Sequence, residues 1–215
     1  MAKGPAYRIP FRRRREGKTD YKARRALIIS KLPRVVTRGS LKHINVQIIE
    51  ATQTDDKIIA SASSQELKRY GWRGPCGNLP SAYLTGLLCG LSAVPKNVKK
   101  AVADIGLHQP TMGARVFASL KGVIDAGVEV PCDEKKLPDE KRLKGQHIAD
   151  YAKTMLSSNP ELYEKTFSKY VERRNRPEKL VEHFEAVKEK ITAPHKEVKS
   201  EKKRKKKRKK KSGSQ

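Results

Sequence analysis

The stretch RVVTRGSLKHINVQIIE, residues 34–50, decides the fold of this chain. Its first five residues favour a β-strand, and Gly39 with Ser40 makes a good two-residue hairpin turn. In the segment that follows, apolar Ile44, Val46 and Ile48 alternate with polar residues, so one face of a second strand is apolar. The stretch therefore predicts an antiparallel hairpin of strands 34–38 and 41–50, with one face against a core.

Working outward, a third strand is predicted at residues 57–61, followed by a short helix that begins at the capping-box pair Ser63 and Glu66. A stronger helix follows, because Asn78 is a natural N-cap and Pro95 ends the apolar repeat. Gly86 and Gly90 lie one turn apart on that helix, which predicts close approach of a sheet or another backbone. Further elements are predicted at residues 102–105 (strand), 111–126 (helix capped by Thr111) and 128–130 (strand). The elements follow the order βββ, helices, β, helix, β, so the predicted fold class is α/β with five strands and flanking helices.

Charge divides the chain into four predicted regions. Residues 1–42 carry fourteen Lys and Arg against two acids, and Lys202–Lys211 is an unbroken basic run, within a total net charge of +26. We predict an extended basic arm (1–25) with order beginning near Pro33, an α/β core (26–130), a helical extension (131–193) and a basic low-complexity tail (194–215). The extension is predicted to contain helices at 146–157, 160–171 and 177–191, whose narrow apolar stripes dock on another surface.

Several function classes are excluded by what the sequence lacks. It has no apolar segment of the roughly 18 residues that cross a bilayer and no secretory signal, so we expect a soluble, intracellular protein that does not bind membranes. Three cysteines without a CxxC pair support neither a disulfide framework nor a zinc site. The strand order also suits ribonuclease-H-like nucleases, but the first strand carries no acid and only Asp104 lies on a plausible site strand. We predict no catalytic residue, metal, cofactor or small-molecule substrate.

Two cationic ends on a near-neutral body are typical of a protein that binds a polyanion, and nucleic acid is the leading partner. The arm RIPFRRRREGKTDYKARR is either a solvated tail or a segment threaded along RNA, with arginines on phosphates and Tyr7, Phe11 or Tyr21 stacked on unpaired bases. The polar face of the second strand, with His43, Asn45 and Gln47, either faces water or binds ribose and phosphate. Trp72, beside Arg73, either stacks on a base or packs over the next helix. Arg115 and Lys121 are weaker candidates.

Four segments carry a resemblance to a known family: YRIPFRRRREGKTDYKARR, NLPSAYLTGLLCG, DIGLHQPTMGARVFASLKGVIDAGVEVP and GQHIADYA. In the same order and over residues 7–191, they resemble the archaeal and eukaryotic branch of the L-eighteen family of large-subunit ribosomal proteins, and we expect an archaeal member. The basic run after Ser200 departs from the family pattern, so its role stays open.

The resemblance implies a ribonuclease-H-like core, with a mixed five-stranded sheet flanked by helices, that serves as an RNA-binding scaffold and not as a catalyst. It implies binding to 5S ribosomal RNA and its attachment to 23S ribosomal RNA in the central protuberance of the cytoplasmic large subunit, beside proteins of the separate L-five family. The competing hypothesis from the residues alone is a general basic nucleic-acid-packaging protein. The RNA-binding residues that the resemblance implies are Arg8, Arg12, Arg13, Arg14, Arg15, Lys18, Tyr21, Arg24, Arg25, Arg34, Arg38 and Lys42. His43, Trp72 and Arg73 join them as candidates from their position in the sequence.

Overall fold

The computed structural model describes residues 4–52, 55–173 and 175–194. In this part of the chain, four strands form one mixed sheet in the order β3-β2-β1-β4. The strands are β1 (Arg34–Gly39), β2 (Ile44–Ala51), β3 (Asp56–Ser63) and β4 (Val102–Asp104). β1 is antiparallel to β2 and parallel to β4, and β2 is antiparallel to β3. The predicted basic tail, including Lys202–Lys211, lies outside the described residues.

The β1–β2 hairpin confirms the predicted alternation and corrects the predicted turn. Ile44, Val46 and Ile48 are buried whereas Asn45 between them is exposed. Gly39 still pairs with Ile44, so β1 continues one residue further and the turn is the four-residue loop 40–43. The Ser40 side chain stabilises this wider loop, because its Oγ accepts from the His43 N–H at 3.0 Å and donates to the His43 carbonyl at 3.1 Å.

The predicted fifth strand at residues 128–130 is wrong. Glu129 makes one isolated parallel bridge to Lys100, and no further pairing extends it within the described residues. Val128 and Val130 are nevertheless buried in the main core. The apolar pattern that predicted a strand therefore reflects burial of an irregular segment.

Two helices, α3 (Leu79–Ala93) and α4 (Arg115–Asp125), cover the apolar face of the sheet. Asn78 caps α3 as predicted, with its side-chain oxygen accepting from the Ser81 N–H at 3.0 Å. The predicted close approach is also confirmed, since a Cβ at Gly86 would collide with the backbone of Ser119 on α4. Thr111 does not cap α4, because the preceding turn delays the helix until Ala114 takes the N-cap position.

The N-terminal segment departs from the extended arm predicted for residues 1–25. It contains a one-turn helix, α1 (Arg12–Arg15), and a longer helix, α2 (Tyr21–Ile29). Asp20 caps α2 by accepting from the N–H groups of Lys22 and Ala23 at 2.9 and 3.2 Å. Pro10 does not interrupt either helix because it precedes both of them. Order therefore begins before Pro33.

The helical extension packs onto α3. It consists of α5 (Glu140–Lys144), α6 (Gln146–Ser158), α7 (Pro160–Glu172) and α8 (residues 180–194), close to the predicted helices. The Phe184 ring on α8 lies 5.6 Å from the Tyr83 ring on α3. Leu180, Phe184 and Ile191 belong to the same buried cluster as the sheet residues. The docking surface predicted for these helices is thus the core domain itself.

Three chemical features of the described residues complete the fold. No helix among the described residues has the length and apolar character needed to span a bilayer. Among the same residues, the His, Cys, Asp and Glu side chains form no group suited to holding a metal ion. Cys76, Cys89 and Cys132 are free thiols, and burial raises the pKa of Cys89 to about 12. Cys89 is therefore a packed apolar side chain and not a nucleophile.

Candidate nucleic-acid interface

The four arginines of α1 form an exposed cationic cluster. All four are exposed, and this one-turn helix buries none of its residues. Glu16 lies 3.4 Å from Arg12 and 2.8 Å from Lys18, and Arg13 donates to the Thr19 hydroxyl at 2.9 Å. Exposed ion pairs of this kind contribute little, about 0–1 kcal/mol. The α1 cations can therefore exchange their internal contacts for phosphate oxygens at small cost.

Aromatic residues flank this cluster. Phe11 is 72% exposed, and its ring lies 5.2 Å from that of Tyr21 at the start of α2. Tyr7 is also exposed. The structure thus places two of the three predicted stacking residues in contact with each other, beside the arginines of α1.

A ladder of alternating charges ties α2 to the sheet. Asp56 on β3 contacts Arg24 of α2 at 2.8 Å and Arg34 of β1 at 2.9 Å. Asp104 on β4 then contacts Arg34 at 3.1 Å and Arg38 at 2.9 Å. The ladder therefore links three strands and a helix through five side chains.

Arg34 is the buried centre of this ladder, with only 2% of its surface exposed. A guanidinium in that position has no surface to offer to a phosphate, and its two carboxylates compensate the charge. We therefore leave Arg34 out of the proposed interface. Its role is to hold Asp56 and Asp104, which in turn position Arg24 and Arg38.

Arg38 differs from Arg34 because it is fixed and still accessible. Its Nη1 donates to the carbonyls of Thr37 and Asp104, and its Nη2 to Asp104 Oδ1, all at 2.9 Å. The side chain remains about half exposed. Gly106 allows this arrangement: its φ is +64°, and a Cβ there would lie 2.8 Å from the Arg38 guanidinium carbon. Arg38 thus presents a preorganised guanidinium to solvent.

The loop 40–43 at the hairpin tip is held in place by Arg115. Its guanidinium donates to the Gly77 carbonyl at 2.8 Å and to the Ser40 carbonyl at 3.2 Å. Arg115 therefore holds the loop 40–43 next to Gly77, a role that the sequence did not predict. Lys42 projects from this fixed tip as an exposed cation, whereas His43 is half-buried. Because β1 and β4 are parallel, this tip and Gly106 follow strand ends at the same edge of the sheet.

Trp72 and Arg73 lie elsewhere, against α8. Trp72 is 2% exposed, stacks on His183 at 5.1 Å between ring centres, and donates from Nε1 to the Pro75 carbonyl. The Arg73 N–H donates to His183 Nε2 at 3.1 Å, while its side chain is exposed. The Trp72 ring is therefore packed, but against His183 on α8, whereas the packing alternative had placed it over the helix that follows. The buried ring is not placed to stack on a base.

The structure brings some predicted residues together and separates others. The ladder, which sequence reasoning missed, depends on Asp56 and Asp104. Arg34 and Arg38 lie four residues apart on one strand, so their side chains point to the same face of the sheet. Their pairing with Asp104 could have been predicted from the presence of this acid on a neighbouring strand. The pairing of Asp56 had no such signal because Asp56 follows a predicted polar turn. The exposed predicted cations of the N-terminal half are Arg8, Arg12, Arg13, Arg14, Arg15, Lys18, Arg25, Arg38 and Lys42.

Comparison with known proteins agrees with the family that the sequence resembles. The family model described as ribosomal large subunit proteins 60S L5 and 50S L18 matches residues 5–102 and 93–133. The large ribosomal subunit protein uL18 of Staphylothermus marinus is 50% identical over 94% of this chain and 100% of its own length. The uL18 protein of Ignicoccus hospitalis is 50% identical, over 91% of this chain and 96% of its own. That of Caldivirga maquilingensis is 52% identical, over 89% and 93%. With half of its residues shared along nearly its whole length, this chain belongs to the family of large-subunit ribosomal proteins that contains 60S L5 and 50S L18.

Proposed function

We propose that this protein binds 5S ribosomal RNA in the large ribosomal subunit and helps to attach it to 23S ribosomal RNA in the central protuberance. The observation that carries the proposal is the exposed arginine cluster of α1, which is joined through α2 and the charge ladder to the preorganised Arg38. Membership of the ribosomal family supports it. The protein acts as a structural component of the cytoplasmic ribosome, beside a neighbouring protein of the L-five family.

The interface works through two kinds of contact. The exposed arginines bind phosphates bidentately, which releases condensed counterions and supplies salt-dependent affinity. Arg38 adds shape because its guanidinium keeps its position when the RNA arrives, and Lys42 adds a charge that projects from the fixed loop 40–43. Phosphate contacts position a protein without reading sequence, so selectivity for 5S RNA requires the fixed parts and unpaired bases.

A structural role also agrees with the state of Asp104. Its carboxylate is held by Arg34, Arg38 and the Gly106 N–H at 3.1, 2.9 and 3.0 Å. A two-metal nuclease requires several carboxylates directed at metal ions, whereas this acid is directed at arginines. The named relatives are ribosomal proteins and not enzymes.

The test is a competition binding assay with a labelled archaeal 5S rRNA transcript at about 150 mM salt, near physiological ionic strength. We expect unlabelled 5S rRNA to compete at least about tenfold better than tRNA or duplex RNA, a difference of about 1.4 kcal/mol. Equal competition by all three RNAs would support the general packaging protein instead.

A further inference from the structure

A cleft of about 420 Å³ opens between α2 and the residues that follow β4. Its cationic side chains come from α1, the α1–α2 loop, α2 and β1: Arg13, Lys18, Arg24 and Arg38. Two acids also line it, but both are engaged: Asp20 caps α2, and Asp104 is held by arginines. The cleft therefore attracts an anion.

The remaining walls of the cleft are apolar. Ala23, Ala26 and Leu27 contribute from α2, and Ile105 and Leu107 from the segment after β4. Leu107 is 56% exposed, although it borders a concave surface. A phosphate ion alone would contact the cations and leave these walls facing water. The lining thus fits a ligand with an anionic part and a flat apolar part.

Arg38 provides a fixed donor at this cleft. Its three hydrogen bonds to Thr37 and Asp104 use both N–H groups of Nη1 and one of Nη2. The Nε–H and the second N–H of Nη2 have no protein acceptor among the residues described here. These two adjacent donors match the two oxygens of a phosphate group.

We propose that this cleft binds one unpaired nucleotide of RNA, with its phosphate on Arg38, Arg13 and Lys18 and its base against Leu27 and Leu107. The volume lies in the range of about 300–1,000 Å³ that small-ligand sites occupy, which suits one nucleotide and excludes a duplex. The inference rests on the proposed function and deepens it, because unpaired bases in loops and bulges are the main target of sequence-specific RNA recognition. The cleft adds recognition of a looped-out nucleotide to the charge contacts of α1.

The test fills the cleft without changing charge. Ala26→Phe inserts a ring from the exposed surface of α2, and Ser157→Phe adds the same ring on the exposed surface of α6 as the matched control. Because the added ring occupies the space of the nucleotide, Ala26→Phe is expected to weaken binding to a 5S rRNA transcript about tenfold or more, which corresponds to about 1.4 kcal/mol. Ser157→Phe should bind like the wild type. Thermal melting of both variants shows whether each one is folded.

A second variant and a crosslinking experiment test the site independently, in case Ala26→Phe does not fold. Leu107→Ala shortens an exposed loop side chain and should weaken binding several-fold. A 5S rRNA transcript that contains 4-thiouridine should crosslink to the peptide around Leu107 through a nucleotide that is unpaired in the free RNA, and AMP should compete only at millimolar concentration. Crosslinking through a base-paired nucleotide, or saturation by micromolar AMP, would overturn the proposal.

The outcomes separate this inference from the proposed function. If the wild type prefers 5S rRNA to tRNA while folded Ala26→Phe and Leu107→Ala bind as tightly as the wild type, the nucleotide site is wrong and the proposed function stands. If the wild type shows no preference for 5S rRNA, the proposed function fails. The cleft is then tested with an unstructured single-stranded oligonucleotide, where the same loss in Ala26→Phe supports the site and equal binding overturns it.

Discussion

The two ends of the described chain are both helical, but they are attached to the core by different forces. α8 buries Leu180, Phe184, Val187 and Ile191, each at most 2% exposed. α1 and α2 bury no residue at all, and an ion pair between Arg24 and Asp56 joins α2 to the sheet. The C-terminal helix is thus part of the protein's own core, whereas the N-terminal helices leave their surface exposed, as the proposed interface requires. The difference teaches that helix content alone does not distinguish a structural extension from a binding one.

The largest expected effect comes from removing the N-terminal cations. With about six to ten phosphate contacts, the affinity of the full chain for 5S rRNA should fall about 10³- to 10⁵-fold between 50 and 200 mM salt. Deletion of residues 1–18 should flatten this slope, while far-ultraviolet circular dichroism shows that the core remains folded. A control variant neutralises four exposed lysines of the helical extension to glutamine, namely Lys153, Lys165, Lys169 and Lys179, and should keep the steep slope of the full chain. An unchanged slope in the deletion variant would contradict the assignment of the interface to this segment.

In the C-terminal helix α8, Phe184→Ala should destabilise the fold by about 3–5 kcal/mol because it leaves a cavity between α8 and α3. Val171→Ala on α7 is the control, since Val171 is 55% exposed and its truncation should change stability by less than about 0.5 kcal/mol. Urea unfolding measures both. If the Phe184 and Val171 variants were equally stable, α8 would not be a structural part of the core.

The charge ladder attaches α2 to the sheet, and breaking it tests how strong that attachment is. Asp104→Asn leaves Arg34 buried with one carboxylate in place of two, which should cost about 3 kcal/mol. Glu16→Gln, which removes only the exposed pairs of α1, should cost less than about 1 kcal/mol. Chemical denaturation compares the two variants. Equal stability would mean that the ladder is no stronger than a surface pair.

The smallest effect concerns pH. Burial, reinforced by Arg73 and Lys190, lowers the pKa of His183 on α8, where Nε2 accepts from a backbone N–H. The unfolded chain therefore binds a proton first, so stability should fall as the pH drops from about 6.5 through the folded pKa. The N-terminal interface should not respond in this range because arginine stays charged. Urea unfolding at stepwise lower pH should show a weaker pH dependence for His183→Gln. Burial also lowers the pKa of His147, so a residual slope of the same sign is expected.

Local signals in the sequence predicted part of this fold well. Asn78 and Pro95 bracketed α3, and the alternation in β2 identified its buried face, because capping and periodicity are properties of neighbouring residues. α2 was missed because the extended basic arm predicted for residues 1–25 included the start of this helix, although Asp20 supplied a cap. The pairing of Arg24 and Arg34 with Asp56 joins residues distant in sequence, which no local pattern reveals. The candidate interface was therefore predicted as a set of cations, without the distinction between buried Arg34 and accessible Arg38.

The backbone contact between α3 and α4 has a consequence for how this chain tolerates change. A side chain at Gly86 would meet Ser119, one at Gly90 would meet Ala126, and one at Gly122 would meet the backbone of Tyr83. Because α3 and α4 pack so closely, these three positions accept no side chain larger than the hydrogen of glycine. In a saturation mutagenesis screen for folded protein, even alanine should be rejected there. The same screen should accept most substitutions along the exposed side of α2, because that helix buries no residue.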